Sequence, residues 1–100
     1  MPTFVCTLAW TDQGIRSIKD ALDRRTKARA VAQQLKITIK DIYITTGDRD
    51  ILMVMDAPDE ESVATFALAT SSKGNTRTST CRAFTEAEFT KILSDLPQIP

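Results

Sequence analysis

Strand-like and helix-like segments follow one another along this chain in the order βαββαβ, with one more helix after them. That order predicts an α+β protein of the split-βαβ, ferredoxin-like type. Two observations agree with it. The stretch Asp50–Asp56 holds Ile51-Leu52-Met53-Val54-Met55, apolar on both faces, which places it at the centre of a sheet with cover on each side. The last strand candidate is rich in Thr, Ser and Arg, as an open edge requires. Right-handed crossovers then put strands one and three in the middle of a four-stranded antiparallel sheet, two and four at its edges, and the helices on one face.

The first strand is expected over residues 3–10, where Phe4, Cys6, Leu8 and Trp10 alternate with Val5, Thr7 and Ala9. Thr11 and Asp12 are N-cap candidates for a helix from about Gly14 to Leu35. Ile15, Ile18 and Leu22, then Ala28, Val31, Ala32 and Leu35, give its apolar face. The stripe lapses at Arg24–Lys27, so a kink or break is expected there. Arg16/Asp20, Lys19/Asp23, Asp20/Arg24 and Asp23/Lys27 sit at i,i+4, each pair contributing about 0.2–0.5 kcal/mol. The Asp23-Arg24-Arg25 cluster therefore reads as a solvated helix face rather than a phosphate site.

The second strand is expected over residues 39–46 and the third over 50–56, joined by a Gly47-Asp48 turn. A helix follows around Pro58-Asp59-Glu60-Glu61, whose acids suit the positive end of a helix dipole. Val63, Phe66, Ala67 and Thr70 form its inner stripe, and Ser71–Gly74 ends it. The fourth strand covers residues 75–84. Thr85 and Glu88 make a capping box for the last helix, with Phe84 and Phe89 placed as its hydrophobic staple. Pro97 stops that helix.

One hundred residues, 42% of them hydrophobic, suit a single domain over residues 1–100 with one core. Thirteen basic residues balance thirteen acidic ones, which gives no electrostatic case for nucleic acid or an anionic membrane surface. The opening MPTFVCTLAW lacks a basic segment followed by a long apolar core, and no run is long enough to span a membrane. A soluble cytoplasmic protein is the expectation. The chain has no histidine, which removes Ser-His and Cys-His nucleophile pairs, imidazole metal sites and His-ligated haem. No cofactor is expected. Helices cover only one face of the predicted sheet, so the second apolar face of strands one and three calls for a second copy, sheet against sheet. A homodimer or higher oligomer is the expected partner.

Five motifs in order carry a family resemblance: Trp10–Ile15 (WTDQGI), the G-x-x-D turn Gly47–Asp50, Ala57–Ser62 (APDEES), Gly74–Thr78 (GNTRT) and Arg82–Phe89 (RAFTEAEF). Together they resemble the GYD domain family over nearly the whole chain. The resemblance implies a bacterial protein with a fold related to the dimeric α/β-barrel proteins, and an oligomer; it implies no reaction. This chain departs from the Gly-Tyr-Asp motif of the family's name, since Arg49 stands where an aromatic is usual. In related barrels, small pockets between helices and sheet serve cofactor-free oxygenases.

The candidate ligand-binding residues are Trp10, Asp12, Asn75, Arg77 and Arg82, which the predicted topology puts on neighbouring strands. An aromatic, an acid, an amide and two guanidinium groups suit a small anionic or aromatic ligand. The plainer reading makes Trp10 a core or interface anchor, Asp12 a cap and the arginines edge charges or intersubunit pairs. Cys6 and Cys81 fall on adjacent strands, where a cross-strand disulfide competes with two reduced thiols, the commoner state inside cells. Met53 and Met55 read as packing rather than soft metal ligands. Asp48, Asp50, Asp56 and Asp59–Glu61 match no calcium loop and read as turn and helix-start residues.

Two functions compete on these grounds. One is a structural or small-ligand-binding homo-oligomer. The other is a cofactor-independent dimeric-barrel enzyme, oxygenase- or isomerase-like, acting on a small aromatic or carbonyl compound. Such an enzyme needs a general base, which without histidine falls to Asp12 or another carboxylate. A closed cavity of a few hundred Å³ reaching Trp10 would favour the enzyme, and a filled interior the structural role.

Overall fold

The computed structural model describes residues 1–99. Its elements are β1 (Thr3–Trp10), α1 (Asp12–Arg16), a 3-10 turn (Ile18–Asp20), α2 (Ala21–Gln34), β2 (Thr38–Ile44), β3 (Ile51–Asp56), α3 (Glu60–Ser71), β4 (Thr76–Ala83) and α4 (Glu86–Ser94). The four strands form one antiparallel sheet in the order β2-β3-β1-β4. This is the expected ferredoxin-like α+β arrangement, with the two-faced strands β1 and β3 in the middle.

Register sorts the side chains into two layers. Phe4 lies opposite Met55 and Cys6 opposite Met53, and all four are buried beneath the helices with Val63 and Phe66 of α3 and Ala32 of α2. Phe66 and Met55 are essentially inaccessible. Truncating a residue such as Phe66 to alanine would cost about 3–5 kcal/mol through lost burial and the cavity left behind. On the opposite face Val5 lies across from Val54 and Thr7 from Leu52, all only half-buried, and Tyr43 of β2 is mostly exposed. No helix of the described residues is long and apolar enough to cross a membrane.

The first helix differs from expectation. It begins at Asp12, capped by Thr11, whose hydroxyl accepts from the Gly14 N–H at 3.1 Å. It breaks at Ser17, not at Arg24–Lys27. The Ser17 hydroxyl bonds back to the Gln13 carbonyl at 2.8 Å, competing with the helical backbone. Arg24 reaches back from α2 to donate to the Ser17 carbonyl at 2.9 Å, which also accepts from the Asp20 N–H at 2.9 Å, and to the Gly14 carbonyl at 3.3 Å. The 3-10 turn rotates the charged face, so of the four expected i,i+4 ion pairs only Asp23–Lys27 forms among the described residues, at 3.2 Å and well exposed. It also turns Ile15, Ile18 and Leu22 out to solvent instead of into the core.

Other boundaries moved less. The link from β2 to β3 is not a two-residue turn at Gly47-Asp48 but a wider loop. It is closed by Thr45 N–H to the Asp50 carbonyl at 2.8 Å, with Gly47 at φ +101°. Pro58 precedes the helix instead of entering it: the cap of α3 is Asp59, whose carboxylate accepts from the Ser62 N–H at 2.7 Å. The capping box of α4 forms as read, with Thr85 accepting from the Glu88 N–H and Glu88 from the Thr85 N–H. Phe84 and Phe89 are each more than half exposed.

Cys6 and Cys81 do lie on adjacent strands, yet on opposite faces. Cys6 pairs with Thr80 in the ladder and is buried, while Cys81 pairs with Val5 and is exposed. Both are free thiols, because a one-residue offset in an antiparallel register points side chains to opposite sides.

Candidate functional site: a cleft between helices and sheet

One end of the sheet is held by a clasp built from three of the family-like motifs. The Asn75 carbonyl accepts from the Thr11 N–H at 3.0 Å, and the Thr11 hydroxyl donates to the Gly74 carbonyl. The Gln13 side-chain amide donates to the Lys73 carbonyl at 2.8 Å and to Asn75 Oδ1 at 3.0 Å. Gly14 permits this approach: a Cβ there would stand 2.1 Å from the Asn75 carbonyl oxygen. Asp50 joins from the β2–β3 loop, its carboxylate accepting from the Trp10 N–H at 2.9 Å while its own N–H donates to the Leu8 carbonyl at 2.9 Å. The acid of the G-x-x-D turn is thus a backbone anchor for Trp10.

Beside the clasp opens a cleft of about 420 Å³ between the helices and the sheet. Its floor is apolar: Leu8 of β1, Ile39, Ile42 and Ile44 of β2, Ile51 and Met53 of β3. Ala28 and Val31 of α2 form one wall, and Trp10, Asn75 and Thr76 close the clasp end. The rim is charged, with Arg24, Arg25, Lys27, Arg29 and Lys73 on the positive side and Asp20 and Asp23 on the negative. Ser17 at the helix break and the small side chains of Ala21 and Ala28 line the cleft on the helix side. An apolar floor with a few polar groups at one end is the common make-up of a small-molecule site, and the volume lies in the usual range.

Of the five residues singled out from sequence, the structure brings Trp10 and Asn75 together at this cleft and leaves three elsewhere. Asp12 lies in the exposed first turn of α1. Arg77 lies opposite Ala9 in the ladder and is exposed. Arg82 sits at the far end of β4, opposite Phe4. Its guanidinium is 2.7 Å from the Glu88 carboxylate, donates to the Thr3 and Ala83 carbonyls, and stacks 4.5 Å from the centre of the Phe84 ring. That network fixes the start of α4. The Thr85 N–H, and after it Arg82, hold the Glu88 carboxyl below its ordinary value.

Sequence reasoning read the Asp23-Arg24-Arg25 cluster as a solvated face and did not foresee that it borders a cleft. The available signal was the lapse of the apolar stripe at those positions. Burial pushes the Cys6 thiol up, opposed by the Thr80 hydroxyl, so Cys6 is a core residue and not a nucleophile. Among the described residues no group of three or more Cys, Asp and Glu side chains is gathered to hold a metal ion.

The fold and this cleft define a ferredoxin-like α+β protein with a small-molecule-sized opening between its helices and its sheet. The GYD domain family model matches residues 4–93, and the chain belongs to that family. Among solved structures it is similar to the crystal structure of MtbAldR, at 16% identity and a TM-score of 0.55, a likeness of fold alone. The match covers 85% of this chain and 52% of the other, so the chain spans about half the length of MtbAldR. No curated protein matches the chain.

Proposed function

We propose that this protein is a small-ligand-binding homo-oligomer of one GYD-type unit, in which the cleft beside Trp10 takes a small apolar or aromatic molecule. The observation that carries the reading is the cleft of about 420 Å³ with an apolar floor and the indole of Trp10 at its end. Pairing of two copies through the open sheet face is supported by Val5, Ala9, Leu52 and Val54, half-buried on the face that the helices of the described residues leave open. Binding is favoured over turnover by the position of the acids. Asp12 does not line the cleft, while Asp20 and Asp23 lie on its outer rim, exposed, with Asp23 engaged by Lys27. A general base needs to reach the reacting atom, and a rim carboxylate open to water is poorly placed for that.

Trp10 is the only tryptophan, so its emission reports on the cleft without a label. Titration with a panel of small aromatic and branched aliphatic compounds, with and without a carboxylate, should give a saturable change for at least one class. Ala28→Trp, which fills the α2 wall, should abolish the heat of binding measured calorimetrically. A panel that leaves both emission and heat unchanged overturns the reading.

A further inference from the structure

The α2 wall of the cleft holds one charge that nothing else in the described chain answers. Ala21, Arg25, Ala28 and Ala32 recur at helical spacing, so they share one face of α2. On that face Ala32 is core and Ala28 packs against the core. Arg25 therefore holds a position on the inward stripe. It lines the cleft and is half-buried. Among the described residues its guanidinium makes neither a hydrogen bond nor an ion pair.

The other charges around the cleft are accounted for. Arg24 donates to the Ser17 carbonyl and hydroxyl at 2.9 and 3.1 Å and to the Gly14 carbonyl at 3.3 Å. It cannot turn to a ligand without releasing the helix break. Lys27 is paired with Asp23 at 3.2 Å. Arg29 and Lys73 are exposed, where water solvates a charge at little cost. Asp20, the remaining acid, is exposed in the 3-10 turn and forms no ion pair with Arg25. Arg25 alone combines an inward position, partial burial and the lack of a counter-charge. A leucine there would continue the apolar stripe with no loss of helix propensity. Holding a cation beside apolar surface without an anion is unfavourable, and the fold gains nothing from it.

We infer that the molecule taken by this cleft is an amphipathic anion, whose carboxylate-type head is held by the Arg25 guanidinium while its apolar body lies on the floor. The inference rests on the ligand reading above and narrows it to one chemical class. Leu8, Ile42, Ile51 and Met53 give the body an apolar bed and offer it no competing charge. The guanidinium fork matches a planar carboxylate with two parallel hydrogen bonds, which a lysine ammonium cannot reproduce. The two ends of the ligand are thus selected by different parts of the cleft, the sheet for its body and α2 for its head. A neutral compound would fill the floor and leave Arg25 unanswered. A cationic one would meet like charge at the wall.

The test uses the full chain as wild type, Arg25→Leu and Arg25→Lys, with two bodies that each carry an acid, an amide or an amine. The probes are phenylbutyrate, phenylbutyramide and phenylbutylamine, then isocaproate, isocaproamide and isohexylamine, titrated calorimetrically. For at least one body the wild type should bind the acid about tenfold or more tighter than the amide, and the amine no better than the amide. Arg25→Leu should erase that preference while keeping the amide affinity within about twofold. Arg25→Lys should retain part of it, since the charge stays and the fork is lost. A second readout needs no ligand. Circular dichroism melts should place Arg25→Leu about 2–4 °C above the wild type, because an unanswered charge has been removed. Acid and amide binding the wild type equally would overturn the inference and leave the ligand reading standing. So would a preference for the amine, or an acid preference that survives in Arg25→Leu. An Arg25→Leu protein that melts below the wild type would make the arginine a structural residue and overturn the inference as well. No binding by any of the six compounds would count against both readings.

Discussion

Replacing Gly14 by alanine tests whether the clasp holds the sheet end and the cleft in place. The added methyl would stand 2.1 Å from the backbone carbonyl oxygen of Asn75, so α1 or the start of β4 has to move by about an ångström to reach ordinary contact distance. The hydrogen bonds from Thr11 N–H to Asn75 and from Gln13 to Lys73 and Asn75 cross that same seam. Each such bond is worth about 0.5–1.5 kcal/mol net, and losing two or three costs about 2–3 kcal/mol. Alanine recovers up to about 1 kcal/mol through its better helix propensity, leaving a net loss of about 2 kcal/mol. For a chain of this size that lowers the melting temperature by about 10 °C. Gly47→Ala is the control. A Cβ there meets nothing within 4 Å, and only the backbone conformation at φ +101° opposes it, at about 1–2 kcal/mol. Thermal melts by circular dichroism should rank Gly14→Ala below Gly47→Ala, and Trp10 emission should shift red in the first variant only. A Gly14→Ala protein that melts within about 2 °C of wild type, with unshifted emission, would refute the structural role given to the clasp.

Two further outcomes follow from geometry already described. Thiol titration after denaturation without reductant should find both thiols per chain free, and in the folded protein Cys6 should stay silent. Cys81 should react readily when dilute and, under the proposed sheet-face pairing, more slowly at high concentration. The carboxyl of Glu88 is held below its ordinary value of 4.5, so the stability it lends α4 is present above the unfolded range. That stability is lost as pH falls through the lower, folded value. The protection factor of the Thr85 amide should therefore fall in acid, and Glu88→Gln should flatten that profile.

The sheet was legible because its signals are local and redundant. Alternation in Thr3–Trp10, the two-faced run Ile51–Met55 and the polar strand Thr76–Ala83 each mark both an element and its rank in the sheet. The capping box at Thr85 and Glu88 was equally direct, since both halves lie within four residues. What could not be read was the break at Ser17. It depends on Arg24 reaching back seven and ten residues to the Ser17 and Gly14 carbonyls, which an unbroken helix would have used itself. With that break misplaced, Ile15, Ile18 and Leu22 were counted as core and the basic face of α2 as mere solvation. The cleft lies where the misplaced break and the charged face of α2 meet. Trp10 and Asn75 could be paired from topology alone, because β1 and β4 are neighbours. Arg82 was on the right strand but six residues along from Thr76, at the opposite end of the sheet.

The place of β1 also shapes how the chain is made. It is synthesised before both of its sheet neighbours: β3 is complete only at Asp56 and β4 only at Ala83. Until Asp56 a strand apolar on both faces has no sheet neighbour in the emerging polypeptide, and until Ala83 it has only one. At about 5–20 residues per second, the wait from Trp10 to Ala83 lasts about 4–15 seconds on the ribosome. Pairing across so much sequence is intrinsically slow, since loop closure must precede any gain from contact. The strand at the centre of the finished sheet is therefore the one that waits longest for its full set of neighbours.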